Sequence, residues 1–118
     1  MKVFWNDCGR ELPFDQAREV DLREAQRMWS DGSGARGNFL GLIDEQDRTV
    51  QFYFDEGIPD EVEDAGHLRI VLMDFPCLER RGSYGRLVTI DEAQRLIATA
   101  FRAGADHRRF GELTFTPW

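Results

Sequence analysis

With 118 residues, 42 % hydrophobic and 31 % charged, the chain has the length and apolar content of one globular domain, so a single ordered domain is expected. Its formal charge of −7 disfavours direct binding to nucleic-acid phosphates, and no apolar run approaches the ~18 residues of a membrane span. Met1 to Arg10 carries charges where a signal peptide has an apolar segment, so a cytoplasmic protein without membrane association is expected.

Lys2 to Trp5 is a short β-type run followed by the turn formers Asn6, Asp7, Gly9 and Pro13. Asp21 with Glu24 makes a helix start, and Leu22, Ala25 and Trp29 recur on one helical face, predicting a helix over Asp21 to Ser30. Gly32 and Gly34 stop it. Asn38 to Ile43 and Arg48 to Phe54 read as a hairpin around Asp44-Glu45-Gln46-Asp47. Closing it with Ile43 opposite Arg48 would gather Phe39, Ile43, Val50, Phe52 and Phe54 on one face. The other face would then carry Leu40, Leu42, Thr49, Gln51 and Tyr53.

His67 to Phe75 and Tyr84 to Val88 read as two further strands around a Gly82-Ser83 turn. Thr89 with Glu92 forms a capping box before the apolar stripe Ile90, Ala93, Ile97, Ala100 and Phe101, and Gly104 ends that helix. Glu112 to Trp118 reads as a last strand, with Leu113 and Phe115 on one face. The expected fold is α+β: a mainly antiparallel sheet of about five to six strands with two helices packed on it, in a single domain over 1–118.

The negative charge is concentrated. Asp44, Glu45, Asp47, Asp55, Glu56, Asp60, Glu61, Glu63 and Asp64 stand against the single base Arg48, while the rest of the chain is close to neutral. Localised charge steers a cationic partner better than the same charge dispersed over a surface. Ile58, Pro59 and Val62 interleave with these acids and Tyr53 leads into them, so apolar anchors rimmed by charge, as in a protein interface, are expected here. The strand between the two halves of the stretch separates Asp44–Asp47 from Asp55–Asp64 by roughly 23 Å. They share a surface only if the chain after Gly57 folds back along the sheet.

Catalytic and cofactor readings find little support. Cys8 and Cys77 lack CxxC spacing and read as reduced thiols. No GxSxG elbow is present, and His67 and His107 read as surface histidines, leaving a Cys77–His67 dyad as the one nucleophilic alternative. Gly32-Ser33-Gly34 follows a helix instead of opening one, unlike a phosphate loop. The acidic run lacks the calcium-loop pattern, and a glycosidase cleft would need a larger chain. No cofactor, metal site or catalytic residue is therefore expected. A purely solubilising role for the acidic run is the plain alternative.

The order Gly37-Asn38-Phe39-Leu40-Gly41-Leu42-Ile43, then Val50-Gln51-Phe52-Tyr53-Phe54, then a TxxE-capped helix and a terminal strand ending in Trp118, resembles the Imm1-like immunity proteins of bacterial polymorphic toxin systems. The resemblance covers roughly residues 37 to 118, and it departs at the end, where Leu113 stands further from Trp118 than the family pattern has it. It implies a non-enzymatic cytoplasmic protein that binds and neutralises a cognate toxin domain, and many such toxins are basic, nucleic-acid-targeting enzymes. No family-defined contact residues transfer. From this chain's own charge, the toxin-binding residues are expected to be Asp44, Glu45, Asp47, Tyr53, Asp55, Glu56, Asp60, Glu61, Glu63 and Asp64. The alternatives are a small enzyme using His67 with acidic residues, and an adaptor that binds another protein through the outer hairpin face.

Overall fold

The computed structural model describes residues 1–118 as one antiparallel sheet with two helices on a single face. In chain order the elements are β1 (Lys2–Asp7), β2 (Arg10–Leu12), β3 (Arg18–Glu19), α1 (Leu22–Asp31), β4 (Phe39–Ile43), β5 (Thr49–Phe54), β6 (Val71–Cys77), β7 (Gly82–Val88), α2 (Ile90–Ala103) and β8 (Thr114–Pro117). The sheet runs β2-β1-β4-β5-β6-β7-β8, with β3 also paired to β1, and every pairing is antiparallel. It therefore has eight strands, not five to six. The two additions are short: β2 returns from β1 through Cys8 and Gly9, both at positive φ, a tight turn that Cys-Gly does not advertise.

The hairpin register also differs from expectation by one residue. Ile43 pairs with Thr49, Leu42 with Val50 and Leu40 with Phe52, because Asp44, just past the end of β4, bonds across to Arg48 instead of opening the loop. Asp44 and Arg48 close a three-residue loop in which Asp44 N–H donates to the Arg48 carbonyl at 2.9 Å and Asp47 takes a left-handed conformation. A one-residue shift exchanges the faces of one strand relative to its partner. Leu40 and Leu42 now face the helices with Val50, Phe52 and Phe54, while Phe39 and Ile43 lie on the opposite face with Tyr53.

Both helices close over that inner face. Asp21 caps α1 by accepting from Glu24 N–H at 2.8 Å, and the helix buries Ala25 and Trp29. Trp29 stacks on Phe54 with ring centroids 5.0 Å apart, and its indole N–H donates to the Ile90 carbonyl. Gln26 and Gln94 each donate to the other's backbone carbonyl, locking α1 to α2.

The start of α2 leaves none of its early amide donors unpaired. Thr89 and Glu92 exchange the two bonds of a capping box, while Ile90 and Asp91 N–H donate to the carbonyls of Leu68 and Gly66 in the 55–70 connection. Ala93, Ile97 and Ala100 are buried against the sheet, and Gly104 at φ +77° ends the helix.

Candidate functional site

The Asp44 end of the acidic stretch is built inward. Asp44 is only 9 % exposed; its Oδ1 accepts from the backbone N–H groups of Gln46 and Arg48, and its Oδ2 accepts from Arg48 Nε and Ala105 N–H. Burial alone would push its pKa up, but the Arg48, Ala105 and Gln46 donors prevail and hold it below the usual carboxylate range. Arg48 also reaches Asp106 at 3.7 Å, whose carboxylate is brought down to about 2, chiefly by its hydrogen bond from Arg108. Of the expected contact residues, Asp44 is thus the one buried, with both carboxylate oxygens engaged inside the fold. Glu45 and Asp47 are exposed on the turn.

The second acidic segment faces solvent. Asp55, Glu56, Asp60, Glu61, Glu63 and Asp64 are all exposed and none forms an ion pair. The loop that carries them is nonetheless anchored: Asp55 N–H donates to Ile70, Ile58 N–H to Gly34, and Asp64 accepts from Gly66 N–H at 3.1 Å. Ile58 packs inward beside Phe54, where a side chain at Gly34 would overlap it, so it fastens the loop and is not displayed as an interface anchor. Val62 is half-buried, and of the three interleaved residues Pro59 alone is exposed.

These two acidic segments form separate surfaces. Gly66 and Leu68 meet the first turn of α2, whereas Asp44 meets the residue just beyond its last turn. A helix of 14 residues places those ends ~21 Å apart. The chain after Gly57 crosses to the helix start and does not fold back along the sheet.

The face of the sheet away from the helices carries what the register shift concealed. Directly paired residues Phe39, Tyr53, Leu72 and Leu87 line up across β4, β5, β6 and β7 at the end nearest Asp55 and Glu56. Tyr53 is 37 % and Leu87 43 % exposed. One row further on, Asp74 stands between Gln51 and Gly85, its pKa raised by burial and only partly brought back by the Ser83 hydroxyl. A charged residue inside the apolar run Ile70 to Phe75 was the sequence signal for this site.

His67 is exposed on the loop before β6, and none of the three principal concavities is lined by it. Cys77 ends β6, and a strand of seven residues, about 20 Å, separates the two, which disposes of the Cys77–His67 dyad. His107 is not a free surface histidine, since its ring stacks on Tyr84 at 3.9 Å. No three His, Cys, Asp or Glu side chains converge as a metal site.

A further concavity of about 250 Å³ lies between α1 and the ends of β1 and β4, lined by Trp5, Met28, Trp29 and Phe54. Part of its polar rim is bonded internally: Asp7 Oδ1 accepts from Ser33 Oγ at 2.6 Å and Asn38 Nδ2 at 2.7 Å, and Asn38 Oδ1 accepts from Cys8 N–H.

No protein-family model, curated protein or solved structure matches the chain. What the geometry offers is an anchored, unpaired acidic loop beside an open sheet face with an apolar row. Both are open surfaces and not enclosed pockets. No helix is long and apolar enough to cross a membrane.

Proposed function

We propose that the protein is a non-enzymatic immunity protein that neutralises a cognate toxin domain in the cytoplasm by covering a basic surface. The observation that carries this reading is the set of six exposed carboxylates from Asp55 to Asp64, free of ion pairs yet held on a loop tied to the start of α2. Like charges held together without counter-charges repel one another, and a basic partner relieves that repulsion while being steered to it. Tyr53, beside Asp55 and Glu56, supplies aromatic contact area where charge alone gives little affinity. Glu45 and Asp47 lie at the far end of the domain and join the interface only for a partner that spans it.

The decisive experiment pairs the protein with the toxin domain encoded beside its gene. Replacing Asp60, Glu61, Glu63 and Asp64 by their amides should slow association about tenfold or more at low salt and flatten its salt dependence. An unchanged association rate constant would remove the acidic loop from the interface. Failure of co-expression to rescue cells from that domain would reject the toxin assignment and favour an adaptor role for the same surfaces.

A further inference from the structure

Asp74 is the one carboxylate of the chain that burial disfavours without compensation by a base. Asp44, Glu92 and Asp106 each have arginine partners, whereas Asp74 makes no ion pair. Arg86, its neighbour along β7, directs its guanidinium away to Glu92 and the Phe110 carbonyl. Asp74 is half-buried, with the Ser83 hydroxyl but no base beside it, so its carboxylate keeps capacity to accept from a cationic donor.

The surroundings define that occupant. Asp74 lies in a concavity of about 390 Å³ walled by Leu72, Leu87, Thr114, Thr116 and Trp118. Gly85 directly opposite leaves the carboxylate uncovered, and a side chain there would press on the Met73 carbonyl at 2.8 Å. Trp118 is 66 % exposed but fixed, its backbone N–H donating to Arg81 and its indole N–H to Ser83 Oγ at 3.1 Å. An exposed, immobilised indole beside a recessed carboxylate suits a flat cation on an apolar stem. Guanidinium also meets a carboxylate with two parallel hydrogen bonds, which an ammonium cannot do.

We propose that this concavity receives one arginine side chain of a protein partner, its methylenes against Leu72 and Leu87, its guanidinium on the Asp74 carboxylate and against Trp118. The site is distinct from the acidic loop and does not require the partner to be a toxin.

The test uses N-acetyl-arginine amide as the probe and two-dimensional NMR of the full chain as the readout. Saturable shifts are expected at the Trp118 indole N–H and the amides of Ser83, Gly85 and Leu87. N-acetyl-norleucine amide, which keeps the stem without the charge, should bind about tenfold more weakly or not at all. Asp74→Asn should abolish the preference for arginine, and Leu87→Ser, at an exposed position that leaves the core untouched, should weaken it several-fold. The variant neutralised at Asp60, Glu61, Glu63 and Asp64 should bind the probe like the natural chain, which separates this site from the loop. No saturable shift in the natural chain, or equal binding by Asp74→Asn, overturns the proposal.

Discussion

Ala105 donates its backbone N–H to Asp44 Oδ2 at 2.8 Å, joining the β4–β5 turn to the residue just past the α2 stop, 61 positions later in the chain. The most conspicuous acidic stretch of the sequence thus begins with a residue that holds the fold together. Asp44→Ala would leave Ala105 N–H and Arg48 without their acceptor, at a cost of about 2 to 3 kcal/mol in urea denaturation at neutral pH. Because the folded pKa of Asp44 lies below its unfolded value, its contribution is fully present above the unfolded pKa of about 4 and disappears as pH falls through the folded one. The stability difference between the natural chain and Asp44→Ala should therefore narrow steadily below about pH 4.

Asp74 behaves with the opposite sign. Burial raises its folded pKa, so its ionisation above that pKa weakens the fold, and the penalty vanishes below the unfolded value. Asp74→Asn is expected to raise the urea midpoint at pH 7 and to lose that advantage below about pH 4. A lower midpoint at pH 7 would show that the carboxylate is already satisfied.

Gly41 lies under the Phe4 ring on the outer sheet face, where even a methyl group would overlap the ring. Phe4 in turn packs edge-on against Phe14 and Phe39. Gly41→Ala should cost about 1 to 3 kcal/mol by displacing that ring. Phe4→Ala, which removes the obstacle, should make the second substitution nearly neutral, a coupling that a double-mutant cycle in urea measures directly.

Trp29 joins three elements through its stack on Phe54, its edge contact with Phe52 and its N–H bond to Ile90. Trp29→Ala should destabilise by about 3 to 5 kcal/mol. Trp29→Phe should cost less, since it keeps most of the ring contact and forfeits the hydrogen bond to α2; thermal unfolding of the two variants separates the contributions.

The helices were legible because their signals are local: Asp21 and Thr89 at the starts, the apolar spacing behind them, and Gly104 at the stop of α2 all mean the same thing in sequence as in structure. The outer sheet face was not. Asp44 bonds across to Arg48 and also accepts from Ala105, far along the chain, and in the register that results Leu40 and not Phe39 faces the helices. The strands β2 and β3 were missed because three and two residues show no periodicity. Asp74 was visible as a charge within an apolar run, yet its recess depends on Gly85 from the next strand and Trp118 from beyond it.

The carbonyls of Gly66 and Leu68 that receive the first amides of α2 make the acidic loop and the helix one cooperative unit. Lifting the loop would strip two acceptors from the amides of the helix start, so the loop opens only at the expense of the first turn behind it. Hydrogen exchange at Ile90 and Asp91 therefore reports on a surface that neither residue belongs to. Added salt, by screening the crowded carboxylates, should slow that exchange and tighten a helix end that itself carries two more acids in its first turn.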